Sequence, residues 1–185
     1  KPEGLNVLRR YRDSLDPGKE KDSAADLIAA YEAKAREDEL MREGFELISS
    51  ERFDEGLEKI RELLRTRPNE YSGLFLLGWG YRRKRDFPNA EQAFKEALLL
   101  RPDDVDALNE LAICFMEAGK LAEAENTLET ARSLAPDNIK ILSNLGIMLI
   151  KLDKFPKAES LFLKVLSYDP EDEIALAYLK FLNDK

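Results

Sequence analysis

Apolar residues along this chain recur at helical spacing and almost nowhere alternate as a strand would. From Asp22 the stripe Ala24, Leu27, Ile28, Tyr31, Ala35 predicts an amphipathic helix with Asp22 or Ser23 as its cap, and no glycine or proline interrupts it before Gly44. Beyond it the pattern becomes periodic. Pro68, Pro102, Pro136 and Pro170 recur every 34 residues, with Gly44, Gly78, Ala112 and Gly146 in step. Each period reads as two antiparallel helices that break near Phe53, Phe87, Leu121 and Phe155. Pro88 and Pro156 suit a first helical turn, where a missing N–H loses no partner. The polar pairs Asn69-Glu70, Asp103-Asp104, Asp137-Asn138 and Glu171-Asp172 are expected to cap the helices that follow them.

The stretch from Tyr71 to Asp104 carries Leu74, Leu77, Gly78, Tyr81, Ala90, Phe94, Ala97 and Pro102. This resembles the tetratricopeptide-repeat (TPR) family, whose pattern of large residue, Leu-Gly, Tyr, Ala, Phe, Ala and Pro it follows. The resemblance implies an all-α fold: a right-handed solenoid of antiparallel helix pairs with N- and C-terminal capping helices. Four repeats are expected at 37–70, 71–104, 105–138 and 139–172. Residues 1–21 form a leader whose Leu5, Leu8 and Leu15 allow a short amphipathic helix before the breaker Asp16-Pro17-Gly18. Residues 22–36 make an N-terminal capping helix and residues 173–185 a C-terminal one. Repeat 1 departs from the pattern twice, with Glu43 in place of leucine and Gly56 in place of alanine.

Charge narrows the function classes. The net charge of -8 is uneven, with the excess acid in 37–70 and 105–138, and no basic stripe runs along the chain. Nucleic acid is therefore not an expected partner. With no histidine and one cysteine, the chain can form no internal disulfide and no His-dependent site; Cys114 in its apolar run reads as a small core residue. No apolar stretch is long enough to span a membrane. Gly78-Trp79-Gly80 belongs to a helix rather than a phosphate loop, and carboxylates are dispersed among Lys and Arg as on a solvated face. We expect no enzyme, no cofactor and no metal. The first residue is Lys1 rather than Met, which fits a processed protein or an excised domain. The compartment stays open, with the cytoplasm favoured.

Candidate binding residues come from the first helix of each repeat. Repeat positions 4, 7, 8 and 11 face the second helix, and positions 5, 9 and 12 lie roughly 130° further round. These read Met41, Phe45, Ile48; Phe75, Trp79, Arg82; Asn109, Ile113, Met116; and Ser143, Ile147, Ile150, with Arg83 beside Trp79. In TPR proteins that face lines a concave groove, so the resemblance implies that these residues bind a peptide or helix of a partner protein. The alternatives are burial of the stripe between successive first helices, a groove that carries a lipid or other apolar small molecule, and a fragment of a larger multidomain protein. The N-terminal segment offers a further surface for self-association. Some TPR domains clamp a chaperone C-terminal carboxylate; here the matching positions read Phe75, Trp79, Glu110, Lys140 and Asn144, which do not make that clamp.

Overall fold

The structure, a computed structural model, describes residues 2–15 and 17–184. Lys1, Lys185 and Asp16 of the expected breaker lie outside the described residues. The chain is 82% helical, and among the described residues it has ten α-helices and no strand. It divides into two compact units, Lys1–Thr66 and Arg67–Lys185.

The first unit holds α1 (Pro2–Ser14), α2 (Lys19–Ser49) and α3 (Phe53–Thr66). α1 lies against α2, with Arg9 donating to Glu32 at 2.5 Å. α2 starts at Lys19, earlier than a cap at Asp22 or Ser23 predicts, and runs 31 residues through the 36/37 boundary without a break. Its C-terminal half pairs with α3 over buried Ile48, Leu57, Ile60 and Leu63. Gly56 has a reason that helix propensity alone conceals. A Cβ there would lie 2.9 Å from the Gly44 carbonyl oxygen, so the two backbones cross too closely for alanine. Glu43 is likewise accommodated, accepting an ion pair from Lys59 of α3 at 2.8 Å.

The second unit consists of α4 (Tyr71–Arg83), α5 (Phe87–Leu100), α6 (Val105–Glu117), α7 (Leu121–Leu134), α8 (Ile139–Lys151), α9 (Phe155–Tyr168) and α10 (Glu173–Asn183). α4/α5, α6/α7 and α8/α9 are the hairpins, each stacked on the first helix of the next, and α10 closes on α9. All four second helices begin at the expected Phe53, Phe87, Leu121 and Phe155. Their inner faces are fully buried through Ala90, Phe94, Ala97; Ala124, Leu128, Ala131; and Ala158, Phe162, Val165. Asp104, Asn138 and Asp172 cap as expected, accepting from the N–H of Ala107, Ile141 and Ala175 at 2.9, 3.3 and 2.7 Å. Glu70 makes no such bond and instead pairs with Arg67 at 3.0 Å.

Each hairpin turns through one left-handed residue at the same repeat position: Glu51 (φ 64), Arg85 (φ 66), Gly119 (φ 77) and Asp153 (φ 55). The following residue donates back to the first helix, Asp86 to Tyr81 and Lys120 to Phe115, at 2.9 and 2.8 Å. This is a Schellman ending, and only repeat 3 uses the residue best suited to it. A Cβ at Gly119 would meet nothing within 4 Å, so its substitution tests backbone conformation alone. Gly119→Ala should cost about 1 kcal/mol in urea unfolding. Arg85→Gly should move stability the other way, by only a few tenths of a kcal/mol, because it also removes a weak stack of Arg85 on Phe87.

A second periodic device joins successive second helices. Lys120 donates to Glu91 at 2.7 Å, and one repeat later Lys154 donates to Glu125 at 3.1 Å. Hydrogen bonds from Lys120 and then Lys95 hold the Glu91 carboxyl below its ordinary value. The stability this adds is present above the unfolded carboxylate value and lost as pH falls through the lowered folded one.

Candidate functional site

On the first helix of each repeat, one side is consumed by its hairpin partner, so only the other can meet a ligand. In the first unit the three expected residues on α2 fare differently. Phe45 is 52% exposed, Met41 is half-buried, and Ile48 is fully buried against α3, where a Cβ on Gly56 would approach its Cγ1 to 2.7 Å. Ile48 is therefore core, contrary to its assignment to the open stripe.

In the second unit, Trp79, Ile113 and Ile147 share repeat position 9 on α4, α6 and α8, and all three are half-buried. Phe75 and Ile150 are half-buried as well, but Asn109, Met116 and Ser143 are buried. The correction at these three has a simple cause: α6 has α4 on one side and α8 on the other, and α8 has α6 and α10. Neighbouring first helices close over positions that a single helix would leave open. Asn109 accepts a hydrogen bond from Asn144 Nδ2 at 2.6 Å, which ties α6 to α8. The Ser143 hydroxyl has no hydrogen-bond partner among the described residues.

The two arginines are both engaged. Arg82 Nε donates to Glu110 at 2.8 Å, with both side chains at most one-fifth exposed, and thereby links α4 to α6. The Arg83 guanidinium sits 5.1 Å from the Trp79 ring centroid, a cation–π distance. Phe75 is less a surface residue than an edge of the core. Its ring meets Phe94 edge-on at 5.6 Å and lies 6.1 Å from Tyr71. Tyr71 in turn stacks under Arg101 at 4.0 Å, and burial followed by a hydrogen bond with Asp104 raises its hydroxyl above the ordinary range.

Sequence reasoning missed the Arg82–Glu110 and Asn144–Asn109 pairs, whose partners stand 28 and 35 residues apart, near the repeat period. That offset was the signal available. Cys114 is buried, and burial pushes its thiol up to about 12, so at neutral pH it is a protonated apolar filler and not a nucleophile. Among the described residues no cluster of His, Cys, Asp or Glu could hold a metal ion. No helix is long and apolar enough to cross a membrane.

A tetratricopeptide-repeat profile matches residues 81–138 and 116–180, and a second matches 42–98. The chain belongs to the tetratricopeptide-repeat family. Its fold class is accordingly the all-α TPR type, in which the helix pairs described above are the repeating element. TPR proteins bind protein partners and serve in general as non-catalytic interaction scaffolds. No curated protein matches the chain. Solved structures share its fold at low identity. PilF of Pseudomonas aeruginosa is 18% identical with a TM-score of 0.72, over 81% of this chain and 68% of that one. A MamA fragment from Desulfovibrio magneticus RS-1 is 18% identical with a TM-score of 0.69, over 91% of this TPR chain and 97% of its own. YrrB, described as a TPR protein with an unusual peptide-binding site, is 18% identical with a TM-score of 0.69, over 96% and 86%.

Proposed function

We propose that this TPR chain is a non-catalytic adaptor whose second unit holds a peptide or helix of a partner protein along the first-helix face marked by Trp79, Ile113 and Ile147. One observation carries the reading. Three large apolar side chains at one repeat position stay partly open on three successive helices, while their neighbours at positions 5 and 12 are buried or half-buried. Partly open aromatic and β-branched residues in a row present apolar area that a ligand can cover at little ordering cost. Arg83, Glu110 and the Asn109–Asn144 pair border them with charge and hydrogen-bonding groups, which supply orientation. The peptide-binding site described for YrrB lends the reading a parallel on the same fold. Phe45 of the first unit occupies the same repeat position and remains exposed, so it is a secondary candidate.

The test is capture from a cell lysate by the immobilised chain, with protein and organic-extractable material analysed side by side. Wild type should retain a discrete protein set that Ile113→Glu with Ile147→Glu loses, at unchanged far-UV dichroism. Retention of lipid alone would replace the adaptor with a carrier. Capture of the same proteins by both forms would move the site off this face.

A further inference from the structure

We infer that α10 is a homodimer contact, through which two copies of this chain pair their last helices antiparallel. The inward stripe of α10 is Ala175, Tyr178, Leu179 and Leu182; Ala175 is fully buried, and the Tyr178 ring stacks on Phe162 of α9 at 5.1 Å. The outward stripe is not the polar surface a solvated terminal helix carries. It contains Ile174, 49% exposed, exposed Ala177, and Phe181, 42% exposed. Their spacing of three and then four residues is that of a coiled-coil seam, and the alanine at its centre lets a second helix approach closely.

Charge identifies the occupant. Glu173 and Lys180 each precede a large seam residue by one position, both are exposed, and neither makes an ion pair among the described residues. Seven residues separate them, two helical turns, so they stand on the same edge of the seam. An antiparallel copy centred on Ala177 sets Ile174 against Phe181 of the second chain and Glu173 against Lys180 of the second chain. The two-fold axis then makes each of these pairings twice. No external partner need be invented to supply the complementary pattern, because α10 contains both halves of it. The distribution of charge over the whole chain agrees. The excess acid lies in 37–70 and 105–138, whereas 139–172 and 173–185 each carry no net charge, so two copies repel least at this end.

Sedimentation equilibrium of the 185-residue chain over a wide concentration range provides the test. Wild type should pass from monomer to dimer. Glu173→Lys alone and Lys180→Glu alone should each weaken the dimer by roughly tenfold or more, since like charges then face each other across the axis. An equimolar mixture of these two variants should dimerise again, because every facing pair is once more opposite in sign. Both swaps also oppose the helix dipole, so far-UV dichroism accompanies each. If either swap frays α10, Ala177→Glu decides instead, placing two carboxylates at the axis and abolishing the dimer. A wild type that stays monomeric at millimolar concentration overturns the inference. So does a dimer indifferent to these substitutions, or a mixture of swaps that fails to re-form it.

Discussion

Gly78→Ala will destabilise the second unit by about 1–3 kcal/mol, although alanine is the better helix former. The added Cβ would lie 2.9 Å from three atoms of the Phe94 ring, and Phe94 is fully buried with no room to withdraw. Propensity favours alanine by about 1 kcal/mol, less than the overlap costs when the obstructing group is a locked aromatic ring. Gly146 stands in the same relation to Phe162, with a Cβ-to-ring distance of 2.7 Å. In repeat 3 the corresponding residues are Ala112 and Leu128, both fully buried. The small residue on the first helix is therefore matched in size to one residue on the second, glycine with phenylalanine and alanine with leucine. Sequence reasoning had opposed these small residues to Ala90, Ala124 and Ala158; the structure puts the aromatic one turn further along in contact.

This size matching makes the prediction stronger than a single cost. Phe94→Leu alone should lose about 1–2 kcal/mol by leaving a void under Gly78. Combined with Gly78→Ala it reproduces the arrangement of repeat 3, so the double variant should be more stable than the sum of the two costs predicts. Residues in direct contact couple by up to a few kcal/mol, and we expect about 1 kcal/mol here. Additive losses in urea denaturation would mean that the two residues do not share one space.

The repeat itself was legible because its punctuation is chemical: proline every 34 residues, and a bulky apolar residue at the start of each second helix. Those features fix where helices start whatever their neighbours do. The left-handed turn residue was not legible, since Glu51, Arg85 and Asp153 occupy a conformation that only Gly119 advertises. The candidate site was legible at position 9 and misread at parts of positions 5 and 12. A helical wheel measures angles around one helix and is blind to adjacent first helices, which bury Asn109, Met116 and Ser143, and to a hairpin partner as close as the one over Ile48. The arginines illustrate the same blindness in electrostatics. Arg82 looked available for an acidic ligand until Glu110 was found 28 residues on, within 2.8 Å.

Trp79→Ala should weaken partner binding about 30-fold, the equivalent of roughly 2 kcal/mol for an aromatic anchor. Trp79 is the better single probe because Phe75, the other aromatic on α4, leans edge-on against Phe94. Truncating Phe75 would open a cavity in the hairpin and confuse lost stability with lost affinity. Trp79 is half-buried and its nearest recorded cation is Arg83, so truncation exposes the adjoining apolar face without emptying the hairpin core. As the one tryptophan in the chain it also reports on itself. Its emission in the free protein should lie between a solvated and a buried indole and shift to the blue as captured partner is titrated in. The decisive comparison is between affinity and melting temperature. An affinity loss near 30-fold with a melting temperature little changed assigns Trp79 to recognition. A melting temperature that falls by several degrees while affinity holds assigns it to the join between neighbouring first helices, and the binding site must then be sought on another face.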